Sequence, residues 1–439
     1  MTVETQNRRA LMRRVIAASL IGTTIEWYDF FLYGTAAALV FNTLFFPKSD
    51  PITGAMLAFA TYALGFVARP VGGLVFGHFG DRIGRKRLLM ASLVMMGVSS
   101  SLIGLLPTYA QAGVTAPLLL VLLRLAQGFA VGGEWGGAVL MAAEYGDASR
   151  RGLWAGWPQV GVPAGNLLAA GVLALMAATQ SPADFLKWGW RVPFLLSAVL
   201  VAFGWWVRSS LMESPVYEAA VAKAGAVERA PALAALRERP GGIAIGAGLR
   251  LGENISYYIV TAVSITYATQ FAHTHIDRGR MLAALMVGSA VECVAMPLFS
   301  ALSDRIGRRW IYAIGAGGMG IWAFAFFQLL DTGSSLPVMA AIVVGLVLHG
   351  AMFGPQAAFI SELFPTRYRY SGASIAYQLT SVFAGSLAPI IALWLLGLTH
   401  STWAISVYVA GACAVSVFAA LRARETKGDS YAAIDARSA

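Results

Sequence analysis

Twelve stretches of the chain stay apolar for about twenty residues or more, and nothing else in the sequence restricts its folding so severely. They fall near residues 15–40, 53–79, 88–107, 117–143, 153–178 and 189–208, then 241–271, 280–303, 310–330, 336–361, 371–397 and 402–422. At a helical rise of about 1.5 Å per residue, runs of this length cross roughly 30 Å of hydrocarbon. Membrane β-barrels show something different, alternating segments of about ten residues. Composition points the same way. Only 12% of the 439 residues are charged, 58% are hydrophobic and mean hydropathy is +0.66, whereas soluble domains carry about 25% charged residues. The expected fold class is an all-α membrane protein with twelve transmembrane helices.

Lys and Arg set the expected orientation. With a cytoplasmic N-terminus, inner segments hold Arg8, Arg9, Arg13 and Arg14, then Arg82, Arg85, Lys86 and Arg87, then Arg150 and Arg151. Later inner segments hold Arg305, Arg308 and Arg309, then Arg367 and Arg369, and a basic tail from Arg422. Outer segments hold only Lys48, Lys187, Arg191, Arg278 and Arg280. Both termini are therefore expected in the cytoplasm, with the chain multi-pass in the cell inner (plasma) membrane. The net charge of +10 is mostly this topogenic signal and calls for no nucleic acid. The first apolar run is long and interrupted by EWYD, so it does not read as a cleaved signal peptide. Cys293 and Cys413 fall inside apolar runs and offer neither a disulfide framework nor a metal site.

The chain repeats itself. GHFGDRIGRKR (77–87) follows the second run and SALSDRIGRRW (300–310) follows the eighth. A fainter echo follows the fourth and tenth, where Glu144 precedes Arg150 and Arg151 while Glu362 precedes Arg367 and Arg369. The two echoes share nearly the same offset, so a six-helix unit is used twice. The expected division is a first bundle over 1–208, a charged Ala-rich cytoplasmic linker over 209–240, and a second bundle with a short tail over 241–439. Paired repeats with a site between them are a common plan of secondary transporters.

The doubled DRxGRK-type loop at this spacing resembles the major facilitator superfamily. RPVGGLVFGHFGDRIGRKR, RLAQGFAVGGEWGGA, WGWRVPFLLS and MESPVYEAA narrow the resemblance to its metabolite:proton symporter family. LRLGENISYYIVTA and YRYSGASIAYQ look most like that family's shikimate-type transporters, and the resemblance spans about residues 15–422. LHGAMFGPQAAFISELFPTR departs from it and looks closer to other branches. The resemblance implies two pseudo-symmetric six-helix bundles working by alternating access. It also implies a cytoplasmic latch, in which Asp81, Arg82, Arg85, Glu144, Asp304, Arg305, Arg308, Glu362 and Arg367 tie helix ends together; the alternative is purely topogenic arginine. Gly80, Gly84 and Gly307 are expected to allow tight turns in those loops.

Ionisable residues within the apolar runs are functional candidates by default. By helical rise, Glu26 and Asp29 lie roughly 16 and 21 Å from the cytoplasmic end of the first helix. Arg69, Glu134, Arg250, Glu253, Glu292 and His349 come out near the same depth, with Arg124 nearer the outer third. Phase sharpens the pattern: Glu26, Asp29 and Tyr33 share one helical face, and Arg250, Glu253, Asn254, Tyr257 and Thr261 form a polar stripe. Gln127 and Glu134 are paired similarly, as are His349 and Gln356. In the fold this sequence resembles, these stripes lie on the four helices that line the central cavity.

Asp29 is the first candidate for the coupling proton, followed by Glu26, Glu134, Glu253 and Glu292; Asp29 and Glu26 read otherwise as structural partners of Arg69 or Arg124. Arg124 and Arg250 are candidates to clamp a substrate carboxylate, or else they neutralise Glu134 and Glu253. Arg69 precedes a proline and reads as a structural partner. Gln127, Tyr33, Asn254, Tyr257, His349, Gln356, Tyr377 and Gln378 complete the candidate substrate contacts, with packing as their alternative role. Trp135, Trp154 and Trp157 line the pocket or fill space.

The resulting expectation is a proton-coupled importer of a small organic acid such as shikimate. It is not an enzyme, uses no cofactor beyond the proton, and acts as a monomer in the bilayer. Competing readings are an osmolyte symporter of the proline and betaine type, a proton-coupled drug exporter, and a non-transporting sensor. GWPQVGVPAGNLL lacks the exporter spacing of glycine and proline, and the tail ARETKGDSYAAIDARSA has no heptads.

Overall fold

The computed structural model describes residues 3–83, 85–132, 148–209, 231–272, 274–366 and 369–437, and within these ranges the chain is helical with no strand. The first half begins with α1, Val3–Ala36, which continues through a widened π turn (Ala37–Phe41) into Asn42–Phe45. It continues with α2 (Pro51–Ile83), α3 (Arg85–Gly104), α4 (Thr115–Val131), α5 (Arg151–Gln159 and Gly161–Thr179) and α6 (Arg191–Ser209). The second half holds α7, Pro240–Tyr258, extended to Phe271 through two π turns. After it come α8 (Arg278–Ile306), α9 (Arg308–Asp331), α10 (Ser335–Ser361), α11 (Arg369–Thr380 continuing to Thr399) and α12 (Thr402–Arg422). A short α13, Tyr431–Ala436, ends the described chain.

Seven of the spans, α2, α5 and α8 to α12, are long and apolar enough to cross a membrane unbroken. The others depart for local reasons. α6 is entered through the short helices Pro182–Gly189 at a 43° bend. α3 and α4 are shorter over their apolar described parts. α1 runs back past the apolar boundary into its basic N-terminal residues, because helix formation does not stop where hydrocarbon does. The expected linker falls mostly on 210–230, outside the described residues, and Pro231–Glu238 is helical.

One turn expectation needs correcting. Gly80 lies inside α2, not in a turn. Gly307 does adopt a left-handed φ of 121° and turns the chain from α8 into α9, a conformation open to residues without a Cβ. Gly84 is outside the described residues.

Close helix contacts set where the polar groups go. α2 packs on α4 so tightly that a Cβ on Gly128 would come within 1.9 Å of the Gly65 carbonyl oxygen. This contact carries Arg69 and Arg124 toward the same interior space. Between the halves, α5 packs on α8 and α10, and α2 packs on α11. Cys293 and Cys413 carry free thiols.

Candidate functional site

Asp29, Phe30, Arg69, Met96, Arg124, Gln127, Gly128 and Val131 line one cavity within the first half. Asp29 is buried on α1 and accepts a hydrogen bond from Ser197 on α6, while its other carboxylate oxygen has no partner. Arg124 donates to Gln127 Oε1 (3.0 Å) and to the Tyr62 carbonyl (3.4 Å), and its Nη2 is buried with no acceptor. Gln127 in turn donates to Ser100 Oγ (2.7 Å). Arg69 Nε is buried and unpartnered as well.

Rings stand where counter-ions would be expected. The Arg124 guanidinium carbon is 4.7, 4.4 and 4.6 Å from the ring centres of Phe30, Tyr33 and Tyr62. Arg69 is 4.5 Å from both Phe30 and Phe66 and 5.8 Å from Trp27. Ring faces stabilise such cations by about 0.5–2 kcal/mol each, which only partly offsets the several kcal/mol that burying an unpaired ion costs. The ion pairs among the described buried residues involve Arg151, Arg250, Arg308, Arg369 and His349; neither Arg69 nor Arg124 belongs to one. The structural pairing expected for Arg69 is therefore absent among the described residues, and Asp29 is not salt-bridged to either arginine. Tyr33 is committed elsewhere, donating to Thr61 Oγ1 (2.7 Å). Glu26 is buried one turn away from Asp29 and does not line the cavity.

The second half holds a different arrangement. Arg250 donates to Glu253 Oε2 (2.8 Å), Gln356 Oε1 (3.0 Å) and Ser381 Oγ (3.1 Å), and lies 3.3 Å over the Tyr377 ring. Its charge is used within the protein, the neutralising role that was the alternative to a substrate clamp. Glu253 also accepts from Gln356 Nε2 (3.1 Å) and meets His349 Nε2 at 2.9 Å. The other imidazole nitrogen, Nδ1, contacts Glu292 on α8. Glu253, Glu292, His349 and Gln356, expected in separate roles, thus form one network. Tyr312 on α9, not anticipated from the sequence, takes a further Gln356 hydrogen bond (3.1 Å).

Aromatic side chains join the two regions. Tyr257 has its ring centre 4.3 Å from His349 and 5.4 Å from Phe31 on α1, and its hydroxyl is buried without a partner. Tyr258 packs on Tyr62 and Phe66 (5.9 and 5.7 Å). Asn254 is buried with an unpartnered Oδ1 facing Gly385, and Gln378 is half-buried on α11, away from the cavity lining.

At the basic end of the bundle the halves are tied. Asp304 accepts from the backbone amides of Gly152 (2.8 Å) and Leu153 (2.9 Å), filling the open N-terminus of α5 with a carboxylate from α8. Arg308 bridges Asp304 (2.6 Å) and Glu362 (3.3 Å), and Arg151 reaches Glu362 from the first half (2.9 Å). Arg305 is exposed and forms no ion pair among the described residues, so it stands outside this latch. The side chains of Asp81, Arg82 and Arg85, and residues Glu134, Trp135, Glu144 and Arg367, lie outside the described residues.

The tail adds contacts that sequence reading missed. Glu425 accepts from the Arg308 and Arg309 amides (3.0 and 3.1 Å), and Thr426 donates to Glu362. The Tyr431 ring lies 3.8 Å from the Arg151 guanidinium carbon and 3.6 Å from that of Arg369. Burial pushes the Tyr431 phenol above its ordinary range, against the pull of both arginines. No heptad or motif marks these residues; charged and hydroxyl side chains in a short tail were the only signal.

Comparison with known proteins fits this architecture. The Major Facilitator Superfamily model matches residues 19–389 and 254–435. The chain is 43% identical over 420 residues to the inner membrane metabolite transport protein YhjE of Escherichia coli (strain K12), covering 95% of each. It is 40% identical over 418 residues to that organism's shikimate transporter, covering 94% of this chain and 95% of the relative. The proline/betaine transporter of the same strain is 32% identical over 446 residues, 98% of this chain and 87% of the relative. Among solved structures, the proton:xylose symporter XylE bound to 6-bromo-6-deoxy-D-glucose superposes with a TM-score of 0.76 at 18% identity, covering 98% of this chain and all of that one. With two helical halves enclosing a polar interior, this multi-pass membrane protein belongs to the Major Facilitator Superfamily and is a transporter, not an enzyme.

Proposed function

We propose that the protein imports a small organic acid across the inner membrane together with protons, by alternating access, acting as a monomer with its basic end and both termini in the cytoplasm. The observation that carries this reading is the cavity itself. Arg124 and Arg69 are buried there with unpartnered N–H groups and no ionic partner among the described residues. Uncompensated charge in a low-dielectric interior is costly, and a substrate carboxylate supplies both the missing charge and the missing acceptors. Asp29 beside them, hydrogen-bonded by Ser197 and in no ion pair among the described residues, is the coupling carboxylate of this reading. A relative named for shikimate, a carboxylic acid bearing hydroxyl groups, supports the same class.

The test is thermal unfolding of purified protein with shikimate, its methyl ester, proline and glycine betaine. A ligand of the folded state at a hundred times its Kd stabilises by about 2.7 kcal/mol. Shikimate should raise the unfolding temperature, its ester should not, and Arg124→Gln should abolish the shift. Stabilisation by the ester equal to that by the acid refutes a carboxylate-reading cavity.

A zwitterion is the second reading, because one carboxylate, two guanidinium groups and the Phe30 ring share the cavity. A shift with glycine betaine and none with shikimate selects it. Charge movement separates the two as well: at equal proton number, a zwitterion carries one more positive charge per cycle than a monoanion.

A further inference from the structure

We infer that Glu253, His349 and Glu292 form a proton-binding site in the second half, separate from Asp29 and holding one exchangeable proton. Its role in coupling rests on the proton-symport reading above; its existence does not.

The geometry requires the proton. Each imidazole nitrogen faces a different carboxylate, Nε2 toward Glu253 and Nδ1 toward Glu292. A neutral imidazole carries one N–H. With both carboxylates ionised, its bare nitrogen would point a lone pair at a carboxylate oxygen within hydrogen-bond distance. A second proton, on that nitrogen or on the facing oxygen, converts repulsion into a hydrogen bond. A count of charge gives the same answer. Arg250 balances one carboxylate, so the cluster carries one net negative charge without the extra proton and none with it. All four side chains are at most 3% exposed, where a net charge is expensive.

No other described group can take over this balance. Cys293 neighbours Glu292 on α8, Tyr312 reaches the cluster through Gln356, and Tyr377 stacks on Arg250 from α11. Toward the first half, Tyr257 covers the imidazole, and Arg69 and Arg124 lie beyond the Tyr258, Tyr62 and Phe66 rings. The remaining Glu292 oxygen is buried and unpartnered, a ready acceptor for the proton. Glu253 rides on α7, whereas Glu292 and His349 ride on α8 and α10, so displacement of α7 opens the site.

The test is 15N NMR of histidine-labelled protein at neutral pH, with His349→Gln identifying the signal. In the wild type both His349 nitrogens should carry or share a proton. In Glu292→Gln the cluster is balanced by Arg250 and Glu253 alone, so His349 should show one protonated and one bare nitrogen. Glu253→Gln should do the same, and it serves if Glu292→Gln does not fold. A bare nitrogen on His349 in the wild type, with both glutamates ionised by the 13C shifts of their labelled carboxylates, overturns the site. A transport arm isolates coupling: in proteoliposomes with a one-unit pH gradient and labelled shikimate, loss of one coupled proton lowers plateau accumulation about tenfold. An unchanged plateau in Glu292→Gln overturns the coupling role. Absence of any accumulation by the wild type counts against the proton-symport reading, while the NMR result still decides the site.

Discussion

Arg124 on α4 and Arg250 on α7 are both buried arginines, yet they do different work. Arg250 has a carboxylate at 2.8 Å, whereas Arg124 has an amide oxygen, a carbonyl and three rings. Arg124→Gln should therefore weaken substrate binding about a hundredfold, the equivalent of about 3 kcal/mol for charged hydrogen bonds. Because no native ion pair breaks, the unliganded unfolding temperature should hardly move; calorimetry and thermal unfolding read both quantities. Arg250→Gln should do the reverse and lower stability, leaving Glu253 and Glu292 without their cation. Asp29→Asn removes the proposed coupling carboxylate but keeps a side chain that can still accept from Ser197. It should lower accumulation driven by a one-unit pH gradient about tenfold, the loss of one coupled proton, while exchange of internal for external substrate falls far less. Gradient-driven accumulation at the wild-type level in Asp29→Asn assigns the coupling proton elsewhere.

At the scale of elements, the α2–α4 contact decides where the cavity's charges stand. Gly128 and Gly65 let the two backbones touch, and a Cβ on Gly65 would lie 2.5 Å from Arg124 Nε. Gly128→Ala should force the helices apart, with an overpacking cost of about 1–3 kcal/mol, and should weaken substrate binding although residue 128 offers no polar group to a ligand. A thermal shift series on the variant, with and without shikimate, measures both effects; native stability and affinity together would show that the contact is not sterically limiting. The repeat was legible at this scale because two DRIGR loops stand at matching places, and Gly307 turns as its lack of a Cβ allows. Gly80 was misread because a glycine next to a charged motif looks like a turn, yet the helical hydrogen bonding of α2 continues through it.

At the scale of the whole molecule, the latch at the basic end ties the halves through two carboxylates, Asp304 on the α5 N-terminus and Glu362 on the arginines. Glu362 meets Arg151, Arg308 and Thr426, which come from the first half, the second half and the tail. Glu362→Gln leaves buried Arg151 without its carboxylate and Arg308 with Asp304 alone, a loss of about 3–5 kcal/mol for the closed arrangement. The expected outcome is faster labelling of a cysteine introduced beside the latch from the basic side. Deletion of residues 423–439 should act in the same direction, since Glu425, Asp429 and Tyr431 all contact the latch arginines or their backbone. Labelling rates equal to wild type in both variants would reduce these contacts to packing.

The sequence by itself determined the class of protein, the number of spans and the pairing of two halves, because hydrocarbon thickness and helical rise translate apolar run length directly into architecture. Within one helix it also placed partners correctly, as for Arg250 and Glu253, since residues three apart share a face whatever surrounds them. Which arginine meets a carboxylate on another helix was decided only in the tertiary structure. His349 lies on α10, Glu292 on α8 and Glu253 on α7, and their meeting depends on the rotation and axial offset of three helices. The same holds for Arg124, whose lack of a counter-ion among the described residues follows from the aromatic rings that α1 and α2 bring around it. Charge type and depth are properties of a segment, but compensation is a property of distances between segments. A shift of one helix by a few ångströms changes those distances without changing any run of residues.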